Sequence, residues 1–156
     1  MRSKTSMWYE VKYRYEKTLE NGAQKKVTEQ YVIEAVSFGE AEAAIVAEMA
    51  AYVSAGETDV RAVAIAPYAE VLFNDEDSFK FYKARVSIQS IDEKTEKVRR
   101  SNINYLVQAS SIADARSCIC EHFAPTMIDY EVVALAETQI IDVFERRKAE
   151  SLKKIS

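Results

Sequence analysis

The chain has 156 residues, 48% of them hydrophobic, enough for one good core, but no stretch approaches the ~18 uninterrupted apolar residues of a membrane span. A net charge of −4 and a pI near 5.2 argue against a protein whose main business is coating nucleic acid, since such domains carry a basic excess. Two cysteines, Cys118 and Cys120, are too few and too close for a disulfide framework, and MRSKTSMWYE lacks the apolar run of a signal peptide. The expected setting is therefore a reducing cytoplasm, away from membranes.

From Tyr9 the chain alternates, with Tyr9, Val11, Tyr13 and Tyr15 on one face and Trp8, Glu10, Lys12, Arg14 and Glu16 on the other. Period two predicts a half-buried strand. Glu20-Asn21-Gly22 is a turn signal, and Val27 to Ala35 returns from it as the second strand of a hairpin. Ser37 with Glu40 forms a capping-box pattern ahead of an Ala-rich stretch to about Tyr52, in which Phe38, Ala41, Ile45 and Met49 recur at helical spacing. Val60 to Phe73 is apolar and β-branched but interrupted by Pro67, which predicts a bent strand or two short ones.

The same grammar then recurs. Tyr82, Ala84, Val86 and Ile88 make an inward face, Asp92 to Lys97 a turn, Ile103 to Ala109 a return strand, and Ser111 with Asp114 a second cap before a helix over Ile112 to Phe123. Glu131 to Phe144 is the last strand, interrupted at Glu137 and Thr138. The letters repeat as well. YVIEAVSFGEA from Tyr31 matches YLVQASSIADA from Tyr105, 74 residues on; WYEVKYRY matches FYKARVSI, and RAVAIA matches EVVALA. That period exceeds any solenoid repeat. The expected fold is α+β, two tandem ββαβ repeats related by pseudo-twofold symmetry and sharing one core, with mainly antiparallel sheet and two helices. Residues 1–73 are the first repeat, 74–78 an acidic linker, 79–145 the second repeat and 146–156 a charged tail.

WYEVKYRYEKTLENGAQKKVTEQYVIEAVSFGEAEA and DYEVVALAETQIIDVF resemble a domain-of-unknown-function family met in Bacteroidetes genomes and in their phages and mobile elements. The likeness runs from Trp8 to Phe144 and carries no catalytic motif. It implies a small accessory protein of viral or mobile-element origin. Cys118, Cys120 and His122 stand off the family pattern.

Nucleophilic catalysis by the usual route needs a nucleophile beside an oriented base. His122 is the single histidine, and Cys118 precedes it by four residues, so both share a helical face; nothing supplies an orienting acid or an oxyanion hole, and a helix end packed on a sheet accounts for them. Cys118 and Cys120 face apart on a helix and form no zinc site by themselves. Asp75, Glu76 and Asp77 read as a solvated loop, not as a complete cation site. No catalytic residue, metal or cofactor is expected.

The informative polar set is the outward face of the first strand in each copy. Trp8, Lys12 and Arg14 have counterparts at Phe81, Lys83 and Arg85, and Arg99 and Arg100 decorate the second hairpin where Lys25 and Lys26 decorate the first. Aromatic rings stack on bases while Lys and Arg meet phosphates. The plain alternative is that this face packs on the other repeat or on a partner subunit, its cations snorkelling to water. The expected function is a non-catalytic phage-type binding protein that self-associates and captures a small nucleotide-like anion, such as a host defence signal. The rivals are an accessory protein that binds single-stranded DNA or RNA, and a protein-protein adaptor.

Overall fold

In the computed structural model, which describes residues 6–53, 56–74 and 80–146, the chain is α+β with two helices and two mainly antiparallel four-stranded sheets. The first sheet has the order β3-β1-β2-β8, from β1 (Met7–Thr18), β2 (Gln24–Ala35), β3 (Asp59–Ile65) and β8 (Ile140–Phe144). The second has the order β4-β6-β5-β7, from β4 (Glu70–Leu72), β5 (Lys80–Ile91), β6 (Val98–Ala109) and β7 (Asp129–Glu137). Helix α1 (Phe38–Met49) belongs with the first sheet and α2 (Ile112–Phe123) with the second.

The hairpins form where turn residues allow them. Gly22 supplies a φ of +83°, and the Asn21 side chain accepts from the Ala23 amide. In the second hairpin Glu96 takes the left-handed conformation at φ +55°, while the Asp92 carboxylate accepts from the Lys94 amide. Strict alternation then sets which face is buried. Tyr9, Val11, Tyr13, Ile33, Ile45 and Met49 pack together in the first sheet and α1, and Tyr82, Ala84, Val86, Val107, Ile119 and Phe123 in the second sheet and α2. Among them Tyr9, Val11, Tyr13, Ile45, Met49, Tyr82, Ala84 and Val86 are residues that the alternation and helical spacing single out. Ile45 and Ile119 are fully buried, each stabilising the fold by about 1.5–3 kcal/mol.

The chain is cut into units differently from the segments 1–73 and 79–145. Of the described residues, those up to 66 and those from 140 on form one compact unit, and those between 67 and 139 the other. The bent strand at Pro67 is two strands: β3 stays antiparallel to β1, whereas β4 pairs parallel with β6 in the second sheet. The interruption at Thr138 does the same in reverse, β7 pairing antiparallel with β5 and β8 parallel with β2. A short parallel edge strand cannot come from a tight hairpin. Linear order along the chain therefore misassigns these two strands. The acidic linker at 75–78 and the tail at 147–156 lie outside the described residues.

Each displaced strand is held where it ends. The Arg146 amide donates to the Glu34 carboxylate at 3.0 Å, and the Arg146 guanidinium to Glu40 at 2.7 Å. In the other unit the Asn74 amide donates to the Gln108 side-chain oxygen at 3.2 Å, and the Asn74 side chain to Asp114 at 3.1 Å. Glu40 and Asp114 are the acids of the two capping boxes. Ser37 and Ser111 accept from their amides as expected, both at 3.1 Å. The carboxylates, however, reach the displaced strand's exit, and that of Asp114 also accepts from the Ser110 amide and hydroxyl.

These hydrogen bonds, led by the one from the Ser110 amide, hold the Asp114 carboxyl below its ordinary value of 3.8. A depressed folded value gives stability that is present above the unfolded pKa of about 4 and lost as pH falls through the folded one. Asp114→Asn is expected to lower the midpoint of thermal unfolding at pH 7, with the gap to the parent closing as pH falls below 4. A gap independent of pH between 7 and 2.5 would contradict the assignment.

Candidate functional site

The eight residues singled out by sequence fall in two units, Trp8, Lys12 and Arg14 in the first and Phe81, Lys83, Arg85, Arg99 and Arg100 in the second. Trp8 and Phe81 are only 6% and 2% exposed, so neither ring is presented for stacking. They lie on the sheet faces opposite the helices, as alternation requires, yet those faces also bury Val32 and Leu106 completely. The Trp8 indole N–H has no acceptor among the described residues. The carbonyls of Trp8 and Phe81 do serve the fold. Ala66 donates to Trp8 and Thr138 to Phe81, both at 2.9 Å, just before the chain leaves each unit.

The cation pairs are also less alike than the letters imply. Trp8 faces Glu34 as Phe81 faces Gln108, and Lys12 faces Gln30 as Arg85 faces Asn104. Lys83 faces Leu106, the place that Glu10 holds opposite Val32, and Arg14 faces Thr28 where the second sheet has Ser87 opposite Asn102. Only Lys12 and Arg85 therefore occupy matching positions. Lys12, Lys83, Arg85 and Arg100 are exposed; Arg99 lies 3.6 Å from Asp92 at the hairpin turn.

Of the eight, Arg14 lines a depression of about 190 Å³ together with Lys26, Glu57, Asp59 and Arg61. Three strands supply it. Arg14 of β1 faces Asp59 of β3, and Lys26 of β2 lies on the diagonal beside it, opposite Glu16. Arg61 arrives through a bulge: Ala62 pairs with Lys12 and Val60 with Tyr13, leaving Arg61 as the extra residue. Val60 and Val63 both pack toward the α1 cluster, so Arg61 and Ala62 turn together to the outer face. The Arg61 guanidinium bonds the Asp59 carboxylate at 3.0 Å, with both side chains about half exposed. Gly56, just before Glu57, has a φ of +94° and the Glu16 carboxylate close to where a Cβ would stand. The second sheet has the same bulge at Val133, between Ala134 opposite Arg85 and Val132 opposite Val86, but a valine there carries no charge. The cationic depression is thus built in the first unit without a matching set in the second.

A second polar cluster lies on the helix side of the first sheet. Tyr15 and Tyr31 both donate to the Glu29 carboxylate. Burial, then that carboxylate, pushes the Tyr15 phenol up to about 12, and burial, Glu29 and Asp142 raise Tyr31 further. Such phenols stay protonated and act as donors that hold Glu29, not as acids. In the second unit burial and Glu70 raise Tyr105, whose ring packs against His122 and Phe123. His122 sits 3.7 Å from Glu70. Burial, followed by Asp114 and Glu121, pushes the Cys118 thiol up, which works against thiolate formation. Among the described residues no three His, Cys, Asp or Glu side chains are grouped to hold a metal ion, and no helix is long and apolar enough to cross a membrane.

Sequence reading missed Lys26, Glu57, Asp59 and Arg61 as a set. The alternating charges of Asp59 and Arg61 at the start of β3 were the available signal, but the bulge that re-aims Arg61 has no signature in RAVAIA. Trp8 is the single tryptophan, so its burial is directly measurable. Its emission is expected to be blue-shifted and shielded from acrylamide until the protein unfolds, whether or not nucleotides are added. Emission like that of free tryptophan, or quenching by added bases, would restore Trp8 as a stacking platform.

No curated protein matches the chain. The model of one family does, over residues 7–146, which is nearly the whole described structure. The chain belongs to that family, a domain of unknown function designated DUF4494.

Proposed function

We propose that the chain is a non-catalytic binding protein of phage or mobile-element type, acting in the cytoplasm as a homo-oligomer. It captures a small nucleotide-like anion such as a host defence signal, whose phosphate is held by Arg14, Lys26 and Arg61. The observation that carries this reading is the convergence of three cations from three neighbouring strands on one depression, in a chain whose net charge is −4. At about 190 Å³ the depression suits a phosphate group, being smaller than the ~300–1,000 Å³ of pockets that enclose a whole ligand. The base and sugar would then lie across the outer face toward Lys12. Asp59 and Glu57 temper the field, which favours release and selectivity over tight retention of any anion.

Burial of Trp8 and Phe81 counts against the rival, single-stranded nucleic acid, which needs exposed rings. Bulges in β3 and β7, the edge strands beside β1 and β5, count against an adaptor that extends a partner's sheet along either. The repeated letters further support a duplicated ββαβ module, whose first copy has Arg14 and Arg61 where the second has Ser87 and Val133.

Titration with a nucleotide panel, inorganic pyrophosphate and mixed-sequence single strands at two salt concentrations tests the proposal. Nucleotide binding is expected to weaken about tenfold in Arg14→Glu and Lys26→Glu, to change little in Lys83→Glu with Arg85→Glu, and to strengthen in Asp59→Asn, which releases Arg61. A salt slope of about −0.7 per phosphate accumulated over many phosphates would favour a polymer instead. Absence of binding to every probe, or equal losses in the two sets of charge reversals, would overturn the site.

A further inference from the structure

Beside the depression the outer face of the first sheet changes chemistry. Lys12 lies two residues before Arg14 on the same face of β1, about 6.6 Å along the strand. Gln30 stands directly opposite it on β2 and Ala62 opposite it on β3. Lys12 and Ala62 are exposed, as is Ala64, and Gln30 is half-buried. Neither Lys12 nor the Gln30 side chain has a hydrogen-bond or ion-pair partner among the described residues. The same residue types recur in the second unit, where Arg85 faces Asn104 on one side and Ala134 on the other. A cation, a carboxamide and an alanine are thus common to both units, whereas the cations that line the depression are not.

Each member of this trio suits one part of a base. The alanine methyls leave a shallow apolar strip on which a flat ring can lie, removing one of its faces from water. The carboxamide both donates and accepts, so it can follow whichever edge is presented, but the ammonium only donates. Lys12 therefore meets an edge made of acceptors and disfavours one that carries an amino group. Guanine offers O6 and N7 side by side, adenine puts its N6 amino group where that oxygen stands, and pyrimidines have no N7. The placing fits as well, since a sugar separates a phosphate from its base as two strand residues separate Arg14 from Lys12.

Resting on the phosphate site proposed above, we infer that the ligand is a nucleotide with a 6-oxopurine base, guanine or hypoxanthine, and that Lys12 is the residue that selects it. Lys12 donates to O6 and N7, while the Gln30 carboxamide oxygen accepts from the ring N1–H. The second unit repeats the trio without the cations that would anchor a phosphate, so the nucleotide is read in the first unit.

Calorimetric titration of the full chain with GMP, IMP, AMP, UMP and inorganic pyrophosphate separates this inference from the reading beneath it. GMP and IMP are expected to bind about tenfold tighter than AMP or UMP, in keeping with one well-placed pair of hydrogen bonds. Lys12→Met is expected to erase the preference by weakening GMP and not AMP, Lys12→Arg to keep it, and Arg85→Met to leave each affinity as it is in the parent. Equal binding of GMP and AMP to the parent, with pyrophosphate still bound, would overturn the inference and leave the phosphate site standing. A loss in Lys12→Met shared equally by GMP and AMP would make Lys12 a general cation and overturn it too. Absence of binding to every probe would overturn both.

Discussion

The fold depends on the capture of a short parallel edge strand at the end of β2 and again at the end of β6. Neither β8 nor β4 is long enough to hold itself there, with five and three residues. What secures each is a pair of side chains that the β2–α1 and β6–α2 corners already present, Glu34 with Glu40 in one and Gln108 with Asp114 in the other. The bonds to Glu40 and Asp114 are exposed, so water competes for each of them. In the second corner one carboxylate, that of Asp114, meets both the Ser110 amide before the helix and the Asn74 side chain at the strand exit, whereas Glu40 meets Arg146 and leaves the cap to Ser37.

That construction decides which surfaces stay exposed. The inner faces are filled by the helices, and the ends of the outer faces bearing Trp8 and Phe81 are buried. What is left is the distal half of each outer face, where the strands run on past the cores and the side chains become charged. There the bulge in β3 acts as a positioning device. It adds Arg61 to the side that Arg14 and Lys26 already occupy, while the equivalent bulge in β7 adds only Val133. Two units of closely similar design therefore differ in the chemistry they offer.

Most of the local structure was legible because its causes are local. Alternation from Tyr9 to Tyr15, the Asn21-Gly22 turn, the serine caps and the breaks at Pro67 and Thr138 each fix backbone geometry within a few residues. α2 runs over Ile112–Phe123 as expected, while α1 ends at Met49, three residues short of Tyr52, and β6 begins five residues earlier than Ile103. The assignment of β4 and β8 to sheets was not legible, since pairing partners of short strands are chosen by long-range contacts such as Arg146 with Glu34. The candidate site was hidden for a related reason. Arg14 was visible by its face, but the bulge that brings Arg61 beside it shifts the register by one residue, and a register shift is a property of two strands that neither sequence declares alone.

The pairing of the displaced strands is the central claim, and backbone contacts between strands in the folded protein test it most directly. Nuclear Overhauser effects are expected between Val71 and Leu106 and between Val143 and Val32, the registers of β4 on β6 and β8 on β2. Contacts of Val71 with β2, or of Val143 with β6, would mean that each strand stays with the half of the chain that precedes it, and would contradict the account.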